Sequence, residues 1–132
     1  MEMQTATHSH YFEIEVGGML VVIPYVRAGQ GEPASVVFPG LSGSALPFEK
    51  NIGPLAQKTG SRVIALNLPP LSGLRPSLEL GTEILSECLT EIAGLDPVNL
   101  IGYSAGGAFA LNLALRQPEK IIHVSFPVQM DN

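Results

Sequence analysis

No stretch of this chain limits its fold more than Val98 to Gln117, VNLIGYSAGGAFALNLALRQ. A short apolar run enters a turn at Gly102-Tyr103-Ser104-Ala105-Gly106 and leaves as an amphipathic helix closed by Pro118. The turn is a G-x-S-x-G pattern with a strand before it and a helix after it, the setting that gives the pattern meaning. At such a junction the serine backbone is strained so that its hydroxyl projects above the sheet. Side chains at positions 102 and 106 would collide with the neighbouring strand and helix. The N–H of Ala105 then points out of the helix N-terminus, where an oxyanion can be received. Ala108, Leu111 and Leu115 set the apolar period of the helix. The same residues also suit a plain glycine-rich turn in which Ser104 only caps the helix.

Around this unit the chain reads as strands and helices in alternation. Tyr11–Val16 (YFEIEV) alternates apolar and polar residues, as an edge strand does. Gly17-Gly18 signals a two-residue hairpin into Met19–Val26, where Pro24 favours an edge or a bulge. Ser35–Phe38 (SVVF) suits a strand covered on both faces and opens into a glycine-bearing loop, PGLSGS, at residues 39–44. A short helix follows, with Pro54 suited to its first position and Gly60 to its stop. Arg62–Leu68 is another buried strand, and residues 69–76 form a rigid loop. Ser77 caps a helix that runs to about Ala93. Its apolar positions are Ile84, Leu85, Cys88, Leu89 and Ile92, with Glu83, Glu87 and Glu91 opposite and Gly94 ending it. Lys120–Phe126 gives a last strand with His123 inside it, read as a packed core or edge histidine. This alternation implies a parallel sheet with helices on both faces, whose ligands bind at the C-terminal strand ends. Leu41, Asn67, Ser104 and the segment after Phe126 all fall there.

Several function classes are excluded or disfavoured. With 132 residues the chain forms one domain, preceded by a mobile, disordered tail over residues 1–10 that holds His8 and His10. A net charge of −5 disfavours nucleic acid and anionic membrane as partners. The single cysteine, Cys88, rules out a disulfide framework and is expected as a buried thiol. The polar N-terminus lacks a signal pattern and no apolar run reaches the length of a membrane span, which places the chain in the cytoplasm. No acidic or histidine cluster has metal-ligand spacing, and no organic cofactor is implied. A dinucleotide fold is disfavoured because the first strand–helix junction lacks G-x-G-x-x-G and Asn67 stands where an acidic residue is needed.

Taken in order, SVVFPGLSGS, RVIALNLPPLSG, IGYSAGG and ALRQPEKIIHVSF, after an opening hairpin that ends in RAGQGEP, resemble the α/β-hydrolase superfamily. The resemblance implies a three-layer α/β fold with a mostly parallel sheet preceded by an antiparallel hairpin, as an incomplete domain over residues 11–132 that stops after the sixth strand. It implies Ser104 as nucleophile and an oxyanion hole from the N–H groups of Leu41 and Ala105. Pro39-Gly40 stands where members often carry His-Gly, which leans the substrate slightly toward thioesters. Asn67 replaces an acidic residue at a position that the resemblance makes mainly structural.

The ending departs further. The family's triad runs Ser, then Asp or Glu, then His. Asp131 follows the sixth strand, where some lipase-like members place their acid, yet the only histidine after Ser104 is His123, in mid-strand. A serine without a base is a poor nucleophile. The expected function is acyl transfer on a small-molecule carboxylic ester or thioester. The alternative is a non-catalytic α/β-hydrolase-like interaction module. A homodimer or a partner chain is expected to cover the open sheet edge. A flavodoxin-like binder with Ser104 as a helix cap is a third reading.

Overall fold

A computed structural model describes residues 10–40, 43–69 and 78–127. The elements are β1 (His10–Val16), β2 (Met19–Ala28), β3 (Ser35–Phe38), α1 (Glu49–Thr59), β4 (Val63–Leu66), α2 (Leu78–Ala93), β5 (Val98–Gly102), α3 (Ala105–Arg116) and β6 (Ile121–Ser125). They build one six-stranded mixed sheet in the order β1-β2-β4-β3-β5-β6. Strands β3 to β6 run parallel, and β1 and β2 are antiparallel to their neighbours.

The hairpin closes as its sequence requires. Val16 pairs with Met19 across Gly17 and Gly18, whose φ values of 57° and 79° suit a tight two-residue turn that L side chains resist. β1 is an edge strand, as its alternation predicts. β2 is not: it lies between β1 and β4. Pro24 is tolerated there because it stands just past the Tyr25–Leu66 pair. Its carbonyl accepts the N–H of Asn67 at 2.9 Å, and the return bond is the one a proline cannot make. The β2–β4 ladder therefore stops at that residue.

The three layers follow from alternation along β3 and β4, all of whose residues are buried. Val36, Phe38, Ile64 and Leu66 join Leu100 from β5 in one core with Ile84, Leu85, Cys88 and Leu89 of α2 and Phe109 and Leu113 of α3. Val37, Val63 and Ala65 face the other way and pack with Ile52 and Ala56 of α1. α2 turns its expected apolar face inward and leaves Glu83, Glu87 and Glu91 exposed. Arg62 reaches across to the end of α2, donating from Nη2 to the Ile92 carbonyl at 2.8 Å while its Nε bonds Glu32 at 2.7 Å. It thereby satisfies one of the helix's final carbonyls.

Two helix readings change. α1 starts at Glu49, after a 3₁₀ turn at Leu46–Phe48, so Pro54 lies inside the helix rather than at its head. The bond lost is the one to the carbonyl of Lys50, an exposed residue. Gly60 does end α1, at φ 71°. In α3 the buried residues are Gly106, Gly107, Phe109, Ala110 and Leu113. Ala108, Leu111 and Leu115 lie on the exposed face, with Leu111 49% and Leu115 72% accessible. The helix is apolar nearly all round, so period alone does not select its inward face.

Cys88 is fully buried, and burial, reinforced by Glu91 and Glu87, pushes its thiol from 9.0 up to about 12. The neutral thiol is a poor nucleophile. Iodoacetamide at mildly alkaline pH should leave native protein unmodified by mass spectrometry and add one alkyl group once the chain is denatured. Rapid modification of the native chain would place Cys88 outside the core.

Candidate active site

Three parallel strands, β4, β3 and β5, end side by side, and their C-terminal ends carry Asn67, Gly40 and Ser104. β5 delivers Gly102 opposite Phe38 of β3. The chain then turns: the N–H of Tyr103 donates to the Phe38 carbonyl at 3.0 Å, that of Gly106 to the Tyr103 carbonyl at 2.8 Å, and that of Gly107 to the Ser104 carbonyl at 2.8 Å. Tyr103 turns toward the α1 side, its ring 4.9 Å from that of Phe48.

Ser104 sits at φ 51°, ψ −116°, the only non-glycine residue with positive φ among those described. Such a conformation costs about 1–3 kcal/mol and persists only where the surroundings impose it. Here they do, because α3 is drawn hard against the sheet. A Cβ on Gly106 would overlap the carbonyl oxygens of Phe38 and Pro39, and one on Gly102 would lie 2.7 Å from the Cα of Gly107. Ser104 is exposed, and its side chain makes no capping bond to α3. The plain helix-cap reading therefore fails. Ala105 is the first residue of α3, and no helical carbonyl lies four residues behind its N–H.

The loop after β3 meets this turn. A Cβ on Gly40 would stand 3.4 Å from the Cβ of Ser104 and 3.4 Å from the Tyr103 carbonyl oxygen. The loop is tied back by the Gly43 N–H to the Gly40 carbonyl at 2.9 Å and by the Leu68 N–H to the Gly43 carbonyl at 2.8 Å. The N–H of Ala45 donates to Oδ1 of Asn67 at 2.7 Å. Sequence reasoning placed Asn67 at a strand end but missed this contact. The available signal was a lone polar residue at the end of a buried strand, facing a loop with amides to satisfy.

The other candidates fall into two groups. Leu41, Asp131 and His8 lie outside the described residues. His123 is an exposed edge residue of β6 paired with Asn99, which leaves it roughly 10 Å short of Gly102 along the strand direction at ~3.3 Å per residue. His10 begins β1 and stacks on Tyr25 at 5.3 Å, four strand spacings or roughly 19 Å from β5. Neither can receive a proton from Ser104. Among the described residues no group of three or more His, Cys, Asp or Glu could hold a metal, and no helix is long and apolar enough to cross a membrane.

This strand–turn–helix geometry has counterparts. A family model of the alpha/beta hydrolase fold matches residues 33–125. A 2-hydroxy-6-oxononadienedioate/2-hydroxy-6-oxononatrienedioate hydrolase of Dechloromonas aromatica is 32% identical over 126 residues, which cover 88% of this chain and 43% of that protein. The sn-1-specific diacylglycerol lipase ABHD11 of Mus musculus is 33% identical over 92 residues, 67% of this chain and 30% of that one. The crystal structure of a probable hydrolytic enzyme from Pseudomonas aeruginosa superposes with a TM-score of 0.75 at 20% identity, over 93% of this chain and 42% of the other. The chain thus spans less than half the length of the curated relatives it matches. With the match running from the start of β3 to the end of β6, a stretch that includes Ser104, the chain belongs to the α/β-hydrolase fold family and spans part of that fold.

Proposed function

We propose that this chain carries the nucleophile of a serine hydrolase that acts on a small-molecule carboxylic ester or thioester. The observation that carries the reading is Ser104 itself: an exposed serine in a strained conformation, with no capping bond, at the head of a helix and against a glycine-bearing loop. That strain has no use in a plain helix cap and is what a protruding nucleophile needs. In this reading Ser104 Oγ attacks the substrate carbonyl. The N–H groups of Ala105 and Leu41 receive the resulting oxyanion, and Asp131 is the acid that orients the base. The base is a histidine that the described residues do not supply. The relative from Mus musculus, named as a diacylglycerol lipase, supports an ester substrate.

Fluorophosphonate labelling of the purified chain tests this. Labelling that Ser104→Ala abolishes is the expected result, since an unactivated serine does not react with such probes. A folded chain that never labels would sink the reading. The second reading, a non-catalytic interaction module, would then stand. It is favoured by the apolar surface at the β6 edge, where Ile122 is 53% and Phe126 50% exposed.

A further inference from the structure

We propose that Asn67 is a positioning residue, an amide clamp that fixes the loop after β3 against the Ser104 turn. Asn67 joins three segments. Its N–H donates to the Pro24 carbonyl of β2 at 2.9 Å, which anchors its own backbone at the end of β4. Its Oδ1 accepts the N–H of Ala45 at 2.7 Å, across 22 residues of sequence. Its neighbour Leu68 donates to the Gly43 carbonyl at 2.8 Å. The loop held in this way is the one whose Gly40 packs against Ser104 and Tyr103. The clamp thus runs from the rigid sheet, through one side chain, to the wall beside the serine.

The clamp needs a side-chain acceptor at this position. Ala45 is 1% exposed, so water cannot satisfy its N–H. It precedes the 3₁₀ turn at Leu46–Phe48, so no earlier turn of helix offers it a carbonyl. Neighbouring loop amides are served locally: Gly43 by the Gly40 carbonyl, and Leu46 by Ser44 Oγ at 3.1 Å. Only Ala45 is served by a side chain from another strand, among the loop bonds described. A carboxylate could accept the same N–H, whereas an apolar side chain of the same shape could not.

The effect on chemistry rests on the acyl-transfer reading, because the loop contributes to catalysis only if its amides face the substrate of Ser104. Amide hydrogen exchange followed by NMR separates the two ideas. Asn67→Leu should speed exchange at Ala45 by at least ~10-fold and leave β3 amides such as Val37 unchanged, while Asn67→Asp should keep Ala45 within ~3-fold of the parent chain. Labelling of Ser104 by fluorophosphonate should slow by at least ~10-fold in Asn67→Leu and recover in Asn67→Asp. Unchanged Ala45 exchange in Asn67→Leu would overturn the clamp. Faster exchange with undiminished labelling would overturn its positioning role. A parent chain that never labels would count against acyl transfer alone, and the exchange data would still decide the clamp.

Discussion

Gly106→Ala should destabilise the chain by at least ~3 kcal/mol, or prevent folding outright. Overpacking a core ordinarily costs ~1–3 kcal/mol, because side chains can shift to make room. At Gly106 they cannot. The atoms a Cβ would meet are the backbone oxygens of Phe38 and Pro39. Phe38 is fully buried, and its carbonyl already accepts the Tyr103 N–H at 3.0 Å. Relief therefore requires α3 to lift off the end of β3, which breaks the serine turn and uncovers the core beneath Phe109 and Leu113. Gly53→Ala is the control. Gly53 lies within α1, and a built Cβ there meets nothing within 4 Å beyond its chain neighbours, so the helix-propensity gain is set only against local crowding by Pro54 and the net change should stay within ~1 kcal/mol. Urea midpoints should thus fall far for Gly106→Ala and move little for Gly53→Ala. A normal midpoint for Gly106→Ala would mean that α3 does not begin against β3, and the site geometry would fall with it.

The second large effect is at the α2–α3 contact. Phe109 is 7% exposed and belongs to the core shared by both helices. Phe109→Ala should cost ~3–5 kcal/mol, from lost burial together with the cavity left behind. Its ring lies over Gly81 of α2: a Cβ there would overlap Cε1 and come within 3.0 Å of Cζ. Gly81→Ala alone should therefore destabilise by ~1–2 kcal/mol, since the collision outweighs the propensity gain. In the Phe109→Ala background the ring is gone and the same change should stabilise by up to ~1 kcal/mol. A double-mutant cycle read by denaturation should then give a coupling of about 2 kcal/mol. Additive effects would mean that the two helices do not meet through this pair.

The sheet and its order of elements were legible wherever a local rule had one solution. SVVF and the strand through Ile64 are short apolar runs that only a two-sided burial explains, and all their residues are buried. Gly17-Gly18 admits one turn, and α2 has one apolar face. Errors arose where several solutions satisfied the local rule. AGGAFALNLALR is apolar on every side, so its inward face was misassigned to Ala108, Leu111 and Leu115. Pro24 and Pro54 each allowed a position that avoids a missing bond. The fold instead used positions where that bond falls beyond a ladder end or at an exposed residue.

Sequence alone determined that a serine stands between a buried strand and a helix, with small residues on either side, because backbone sterics at such a turn tolerate little else. Tertiary structure decided what surrounds that serine. Gly40, Asn67 and Ser104 are separated by 27 and 37 residues of chain. They fall at the same end of the sheet because parallel pairing of β4, β3 and β5 sets three strand ends side by side. The same pairing sets His10 and His123 apart from the serine, one across the sheet and the other down its edge strand. Spacing along a chain carries no record of such distances. Strand order and register set them, and these follow from the burial of both sheet faces at once.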